Sequence, residues 1–515
     1  MITERMLTAA AGLDAALICE IASAGPAPGG SPTGPATPGL VLRIGPELLA
    51  DVQRQCERAR AELRRGHPVY GVNTGMGALS GTRLTEPQQL AHQRNLLLAR
   101  ATGGPPWLDA ADVRAIIAVR LRTFLSCDAG VSGPLCQRLA DFLNAGIVPA
   151  VPRTGAGCAG EIIPMAHAFG PLAGIGQVLG TGGELRPAGE VLREHGLEEF
   201  VLGPKEGIAL LAGVPGATAL SARRAAAARG AAAMMEAAAG MSIVAAGASR
   251  DPYAAACARG DDVLAGVLSR IRAAAGAEPA PGSLQAPVSF RVAGPVLAQV
   301  RRAGHALGAS VERALAGVTD SPAFLDGRFT GTAGFHGIDL AAHCDQLTAA
   351  LAHAAEVSAA RAHRLLDPRV TGLPAQLARI PGPDAGLVAV HKRAAGEIHA
   401  MRRLALATPV GMIETSGGQE DVQSFAWEAA EALRAALHHA RVVTACELLT
   451  ACRAIALTGL PAPPGCRGVL GWLAGVIEPI EGDRPFGEDI ERIVREPWPA
   501  DGPASRPPWQ GDRGE

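Results

Sequence analysis

The sequence predicts a mainly helical protein, and three observations support that prediction. Apolar residues recur at helical spacing over roughly 336–366 and 419–457, and each run is longer than an ordinary globular helix, which is typical of long parallel helices in a bundle or an oligomer. Thr85 and Gln88 have capping-box spacing ahead of a further periodic run. No alternation of strands and helices indicates a parallel sheet, so strands are expected only as a short hairpin within 177–200.

Charge balance and composition exclude several classes of protein. The chain has 47 Lys plus Arg against 49 Asp plus Glu, so we expect no nucleic-acid partner. The Ala-rich stretch at 222–249 is interrupted by charged residues, so no membrane-spanning helix is expected. Ten cysteines without a C-x-x-C pair and thirteen histidines without an HExxH motif predict neither a disulfide framework nor a metal site. The first six residues lack the order of a signal peptide, and the expected location is cytoplasmic.

A glycine-rich segment that begins at Tyr70 and includes Asn73 interrupts the helical pattern. The chain contains only two tyrosines, so a tyrosine at the start of a mobile loop is a candidate acid or base. Phenols titrate near pH 10, and such a group needs help from its surroundings to act as a base at neutral pH. A tyrosine that only packs a turn is the other interpretation, and the segment alone favours it.

A second glycine-rich segment, at 154–161, precedes an expected helix start and includes Cys158, Ala159 and Gly160. Helix N-termini stabilise negative charge, so this loop is suited to a position where an anion or an electron-rich intermediate forms. They also lower the pKa of thiols, which makes Cys158 a candidate thiolate. A small buried cysteine at a helix cap is the commoner case.

The segment 285–291 ends at Arg291, whose guanidinium can bind a carboxylate through two parallel hydrogen bonds. A single arginine is more often a partner in a surface ion pair, and the segment alone does not decide between the two. The function of Arg291 therefore depends on what surrounds it.

The segment 416–421 contains Ser416 and Gln419 at capping-box spacing. This spacing predicts a helix start that places Glu420 in the first turn. Acidic residues are favoured there by the helix dipole without any catalytic role.

Together, in this order and spacing, these segments resemble the aromatic amino acid ammonia-lyase and aminomutase family, which includes histidine and phenylalanine ammonia-lyases. The resemblance extends over roughly residues 40–460, and six motifs in register make it specific. They are Tyr-Gly-x-Asn-Thr-Gly at 70–75, Gly160-Glu161-x-x-Pro164-x-Ala166-His167, Lys205-Glu206-Gly207, Gly334-Phe335-His336-Gly337, Gly372-Leu373-Pro374 and Gln419-Glu420-Asp421.

The resemblance implies a fold and an assembly, and composition adds the expected flexible parts of the chain. The resemblance implies the elongated helical subunit of the fumarase and aspartase type, a homotetramer with active sites built from more than one subunit, and a small-molecule carboxylate as substrate. The expected parts are an N-terminal segment with a flexible Pro/Gly insertion at 25–39, a domain with the active-site loops, a long-helix bundle, a C-terminal helical piece and a disordered tail, at 1–40, 41–215, 216–460, 461–496 and 497–515.

The family's chemistry depends on an electrophile called MIO, a methylidene-imidazolone that forms from Ala-Ser-Gly with loss of water from the Ser. The corresponding residues are Cys158, Ala159 and Gly160. Because Ala159 has no β-hydroxyl, the resemblance predicts that MIO does not form, and no other cofactor is expected.

Four further positions depart from the family's pattern, and one of them is Ala286, which replaces an Asp within the 285–291 motif. Ala212 replaces the Asn that supports the MIO region, Val288 replaces a Tyr within the 285–291 motif, and Arg100 occupies the position that selects the aromatic side chain. Arg100 points to a substrate whose distal end is acidic or accepts hydrogen bonds, although a protein carboxylate is an equally good partner for it.

The retained positions matter equally. By the resemblance, Tyr70 matches the catalytic base and Arg291 the carboxylate clamp, and the other pocket positions are Asn73, Gln285, Phe335 and Glu420. The leading hypothesis is a divergent, MIO-independent enzyme that performs elimination, addition, isomerisation or cyclisation in a biosynthetic pathway. The alternatives are a non-catalytic structural or regulatory homologue, and an ammonia-lyase or aminomutase with an electrophile derived from Cys158.

Overall fold

The computed structural model describes residues 2–24, 39–156, 159–276, 284–411 and 413–496. The expected flexible insertion at 25–39 lies outside the described residues apart from Gly39, and the expected disordered tail lies wholly outside them. Cys158 lies outside them as well.

Helices dominate the described part of the chain, as predicted. Before residue 215 they are α1 (Ala15–Ser23), α2 (Pro46–Leu63), α3 (Glu86–Arg100), α4 (Ala110–Leu125), α5 (Gly133–Ala145), α6 (Ile162–Phe169), α7 (Ala188–Glu194) and α8 (Glu206–Leu211). They continue as α9 (Pro215–Ala245), α10 (Asp262–Ala275), α11 (Val288–Arg291), α12 (Ala293–Ala316), α13 (Ile338–Leu365), α14 (Pro368–Thr371), α15 (Val388–Leu404), α16 (Ala426–Leu457), α17 (Pro464–Val476) and α18 (Phe486–Arg495).

The chain divides into two compact units. The first comprises Met1–Arg223, Gly308–Ala342 and Ala407–Glu431, and the second comprises Arg224–Leu307, His343–Leu406 and Ala432–Glu515. The five parts expected from the sequence stay a prediction.

Local sequence signals explain several helix boundaries. The capping box of α3 forms as predicted between Thr85 and Gln88. The long runs expected near 336–366 and 419–457 correspond to α13 and α16, but α16 begins only at Ala426. The expected helix start at Ser416 is therefore wrong: residues 416–418 form a single 3-10 turn with positive φ at Ser416 and Gly417, which ends the helical geometry.

Strands occur only in the first unit among the described residues, in three two-stranded pairs. The hairpin expected within 177–200 consists of β3 (Gln177–Leu179) and β4 (Leu185–Pro187), and a second hairpin consists of β5 (Ala323–Leu325) and β6 (Arg328–Thr330). The remaining pair, β1 (Ile2–Leu7) and β2 (Gly39–Ile44), is parallel.

The parallel pair corrects the expectation that the chain has no such sheet. Buried side chains of β2 alternate with less buried ones, which is the pattern of a strand. The sequence did not indicate this strand, because a Pro/Gly-rich segment directly precedes it. The side chain of Asn144 on α5 satisfies both backbone groups of Leu42 on β2, because it accepts from Leu42 N at 2.8 Å and donates to Leu42 O at 2.9 Å.

Among the described residues, no helix is both long and apolar enough to span a membrane, and no group of three or more His, Cys, Asp or Glu side chains is placed to hold a metal ion.

Candidate active site

The Tyr70 segment is a loop held by its own hydrogen bonds. The side chain of Asn73 accepts from Val69 N at 2.7 Å and donates to His67 O at 2.7 Å, and it is buried. Tyr70 is half-buried, and its hydroxyl oxygen accepts a hydrogen bond from Gly77 N at 2.8 Å. The contacts of Asn73 therefore stabilise the loop, and its expected contact with a substrate stays a prediction.

Gln93 on α3 connects this loop to α8, and nothing in the sequence had indicated it. Its side chain is fully buried, donates to Gly71 O at 3.1 Å and accepts from Ile208 N at 3.0 Å. A Cβ at Gly207 would lie 2.3 Å from the Gln93 carbonyl oxygen, so only glycine allows α8 to approach α3 this closely.

The Lys205-Glu206 motif at the start of α8 has a structural role. Lys205 Nζ and Asp320 Oδ2 form a buried ion pair at 2.8 Å. Burial lowers the pKa of Lys205 and raises the pKa of Asp320. Glu206 accepts hydrogen bonds from Ser132 N at 3.0 Å and from Gly203 N at 2.6 Å. These contacts fix the helix against which the Tyr70 loop is held.

Arg100, the last residue of α3, lies within electrostatic reach of two other predicted site residues. Burial lowers the pKa of its guanidinium, and the nearby Tyr70 and Glu420 oppose that shift. Its Nη2 is 3.7 Å from Met76 Sδ, and its buried Nε has no hydrogen-bond partner in the part of the chain that is described. The structure thus brings Tyr70, Arg100 and Glu420 together in the first unit.

His92, also on α3, is a neighbour that the sequence did not indicate. It is half-buried, and burial together with the positive charge of Arg100 lowers its pKa, which favours the neutral imidazole at neutral pH. Within the described ranges, its Nε2 is buried without a hydrogen-bond partner.

Glu420 connects the second glycine-rich segment to the 416–421 segment. One of its carboxylate oxygens, Oε2, accepts from Ala159 N at 3.3 Å and from Thr415 Oγ1 at 2.9 Å. Its backbone pairs with that of Thr415 in an isolated bridge, so it does not lie in the first turn of a helix as expected. The carboxylate therefore reaches the loop residue at which the family forms its electrophile.

The helix predicted after residue 161 is α6, and Glu161 itself has a role that the sequence did not show. Its carboxylate accepts from Gly216 N and Ala217 N, both at 2.6 Å, at the start of α9. Burial raises its pKa to about 8, against the opposing effects of these two donors and of Arg120. Glu161 thus fixes the loop that contains Gly160 to the N-terminus of a long helix.

Ala212 follows the end of α8, and its carbonyl oxygen accepts a hydrogen bond from Arg120 Nη2 at 2.5 Å. Arg120 is fully buried, and burial lowers its pKa to about 10. Its Nε and Nη1 have no hydrogen-bond partner among the described residues. The methyl side chain of Ala212 offers this guanidinium no further acceptor.

Phe335 is half-buried in the 3-10 turn Gly334–His336 of the first unit. The carbonyl oxygen of His336 accepts a hydrogen bond from Ser424 Oγ, which ties this turn to the segment just after Glu420.

Gln285, Val288 and Arg291 belong to the second unit. Gln285 is exposed, and Val288 is 59% exposed at the first position of α11. Arg291 is half-buried at the last position of the same short helix, and its buried Nε has no hydrogen-bond partner in the ranges that the structure describes.

The residues at 158–160 do not fit the MIO group of the family. The methyl group of Ala159 has no oxygen to lose as water, and its backbone N–H donates to Glu420. Ala212 has no amide to support a ring at this position.

Comparisons with known proteins agree with this architecture. The family model described as aromatic amino acid lyase matches residues 36–472. Histidine ammonia-lyase of Streptomyces avermitilis is 35% identical over 431 residues, which cover 78% of this chain and 81% of that protein. Histidine ammonia-lyase of Streptomyces coelicolor is 34% identical over 467 residues, covering 88% and 91%. The crystal structure of histidine ammonia-lyase from Trypanosoma cruzi has a TM-score of 0.84 at 25% identity and covers 96% of this chain and 92% of that chain.

The fold expected from the resemblance is confirmed, since the mainly helical architecture matches a solved ammonia-lyase over nearly all of both chains. The residues matched by the family model include every candidate site residue named in this subsection, and they cover most of the sequence. The chain therefore belongs to the aromatic amino acid lyase family.

Proposed function

We propose that this chain is an MIO-independent enzyme of the aromatic amino acid lyase family, with Tyr70 as its acid/base group and a small carboxylate as its substrate. One observation carries the proposal: Tyr70 and Glu420 both lie within electrostatic reach of Arg100, and Glu420 accepts a hydrogen bond from Ala159, which has no hydroxyl from which the electrophile is made. The chain keeps the tyrosine proposed as acid/base group and lacks the residue from which the amine-activating electrophile is made.

The chemistry follows from what remains. In the elimination direction, the phenolate of Tyr70 takes the proton from the carbon next to the one that bears the leaving group. The electron pair of the broken C–H bond forms the C=C bond, and the leaving group departs with its own electron pair. Without MIO, that leaving group must be better than an unactivated amine. In the reverse direction a nucleophile adds to one carbon of the C=C bond, and the electron pair of that bond takes the proton of the phenol at the other carbon.

Each of the two arginines is suited to bind an acidic or hydrogen-bond-accepting group. Arg291 is the proposed clamp for the carboxylate. Its buried Nε has no partner within the described part of the chain, which supports that role, because a buried donor is costly to leave unpaired. Arg100 is the proposed partner for an acidic or hydrogen-bond-accepting distal end, since its own Nε is also buried and unpaired among the described residues.

The expected assembly and setting are part of the same proposal. A homotetramer with shared active sites and a small-molecule carboxylate substrate rest on the family resemblance. A cytoplasmic location and a biosynthetic role are proposed with them. Histidine is the first amino acid to test, because the relatives named above are histidine ammonia-lyases.

The deciding experiment compares the wild type with Tyr70→Phe. Purified protein is incubated with L-histidine and with a panel of unsaturated and β-substituted carboxylates, and mass spectrometry follows gain or loss of the leaving group. We expect turnover to fall by about 10²–10⁴-fold in Tyr70→Phe, the usual contribution of a positioned acid/base group. Unchanged melting temperature and oligomeric state serve as the control.

Full activity of Tyr70→Phe would refute the role of Tyr70. No turnover and no ligand-induced rise in melting temperature for the wild type would favour the non-catalytic homologue.

Peptide mass spectrometry across residues 154–167 distinguishes the proposed enzyme from an ammonia-lyase or aminomutase with an electrophile derived from Cys158. We expect the unmodified mass. A deficit equal to hydrogen sulfide plus water would instead reveal an electrophile derived from Cys158 and would restore ammonia-lyase or aminomutase activity to first place.

A further inference from the structure

The core of the second unit contains a buried polar cluster that the proposed reaction does not use. Both oxygens of the Glu447 carboxylate on α16 accept from Arg361 on α13, at 2.6 Å from Nε and 2.9 Å from Nη2. Ser242 Oγ on α9 and Ser358 Oγ on α13 complete the cluster at 2.7 and 2.5 Å. Each of these four residues is at most 1% exposed. The carboxylate is therefore fully hydrogen-bonded.

Two buried donors extend from this region to α11. The remaining guanidinium nitrogen of Arg361, Nη1, donates to Ser289 O at 3.3 Å. The hydroxyl of Tyr253, the second of the two tyrosines, donates to Phe290 O. Tyr253 is 1% exposed, and burial raises its pKa to about 12, so it remains a protonated donor throughout the physiological range.

The two acceptors are the carbonyls of the residues immediately before Arg291. Because α11 is only four residues long, its carbonyl groups have few partners within the helix, and its geometry depends on contacts from outside. A carbonyl fixed at each of two consecutive residues restricts the backbone that leads into Arg291. The orientation of α11 is thus set from the core of the unit.

We infer that Tyr253 and Arg361 are positioning residues that hold α11 by these two carbonyls and so fix the place of the Arg291 guanidinium. The link to substrate affinity rests on the proposed function, in which Arg291 binds the substrate carboxylate. The hold on α11 itself does not depend on that function.

The test uses Tyr253→Phe in the full chain, because this change removes only the hydroxyl and keeps the ring. Arg361 is a poorer choice, since its removal leaves Glu447 charged and unpaired in the core. The matched control is Thr444→Val, which also deletes a buried hydrogen bond from a hydroxyl to a backbone carbonyl, that of Ala440 at 2.8 Å, on α16.

The first readout is hydrogen exchange of the peptide that spans α11, where the amides of Phe290 and Val292 are hydrogen-bonded. We expect exchange to be roughly tenfold faster in Tyr253→Phe and unchanged in Thr444→Val, since the net worth of such a hydrogen bond corresponds to about that factor. Equal exchange in Tyr253→Phe and the wild type would overturn the positioning role.

The second readout is the affinity for trans-cinnamate, an unsaturated aromatic carboxylate, measured by calorimetry. We expect binding to weaken roughly tenfold in Tyr253→Phe, to be lost in Arg291→Gln and to be unchanged in Thr444→Val. Faster exchange with unchanged affinity would overturn the claim that the orientation of α11 fixes the position of the Arg291 guanidinium. If the wild type and Arg291→Gln bind the probe equally, or neither binds it, the clamp fails, and the exchange result alone decides the positioning role.

Discussion

Replacing Asp320 by Asn tests how the first unit supports the Tyr70 loop. The change keeps the size of the side chain and an oxygen that can accept a hydrogen bond, but it leaves Lys205 as a cation without its partner carboxylate. Both side chains are nearly inaccessible, at 3% and 1% exposed, and their charged atoms are 2.8 Å apart. Arg120 lies close enough to raise the electrostatic cost further, since its charge also acts on both members of the pair.

The magnitude follows from this geometry. At 2.8 Å and an effective dielectric constant of about 20, the attraction within the pair is about 6 kcal/mol, most of which offsets the cost of removing two charges from water. Removal of one partner alone typically costs 3–5 kcal/mol. Because Asn retains an acceptor for Lys205, we expect Asp320→Asn to lower the free energy of unfolding by about 3 kcal/mol.

The assay is urea unfolding followed by circular dichroism at one fixed protein concentration, since assembly would make the midpoint depend on concentration. The matched control is Glu20→Gln, which breaks the exposed pair with Arg5 and should change the free energy by less than about 0.5 kcal/mol. A cost for Asp320→Asn as small as that of the control would refute the argument, because it would mean that Lys205 does not carry an uncompensated charge in the folded state.

Two further predictions concern the same unit. His167 Nε2 accepts from Gly103 N at 3.0 Å, and burial lowers the pKa of His167, so the unfolded chain binds a proton at a higher pH than the folded one. Stability should therefore fall as the pH drops below about 6.5, and thermal melts should show that His167→Gln lacks this part of the acid sensitivity. A methyl group at Gly216 would lie 2.3 Å from Trp427 Cζ3 and 2.7 Å from Glu161 Oε2. We therefore expect Gly216→Ala to lower the free energy of unfolding in urea by about 1–3 kcal/mol, although alanine has the better helix propensity. A variant more stable than the wild type would contradict this.

The sequence predicted helices well wherever the evidence for a helix comes from residues close together in the chain. The capping box of α3 and the long period of α13 depend on residues within a few turns of each other, and both are confirmed. The start of α16 was wrong because capping-box spacing at Ser416 says nothing about whether the intervening glycines keep helical dihedral angles. The parallel pair of β1 and β2 depends on contacts between segments more than 30 residues apart, which periodicity does not record.

The site shows the same division. The motifs located Tyr70, Arg100 and Glu420, which the structure brings together. Gln93 and Glu161 were missed, because their importance lies in hydrogen bonds to residues that are 22 and more than 50 positions distant. A single glutamine or glutamate in the sequence has no property that reveals such a partner. A comparison of motifs therefore finds candidate catalytic residues more readily than residues that hold a segment in place through distant hydrogen bonds.

The positions of the buried ion pairs help to decide between a catalytic protein and a non-catalytic structural or regulatory homologue. A buried ion pair such as Lys205–Asp320 or Arg361–Glu447 can often be replaced by apolar residues of similar volume without loss of stability, so stability alone gives little reason for it. In some proteins such pairs instead specify a single geometry. Here Lys205–Asp320 anchors α8, which Gln93 of α3 connects to the Tyr70 loop through its hydrogen bonds to Ile208 N and Gly71 O. Arg361–Glu447 leads to the carbonyl two residues before Arg291. Geometric precision is thus concentrated where an acid/base group and a carboxylate clamp would need it, which favours the catalytic hypothesis over the structural one.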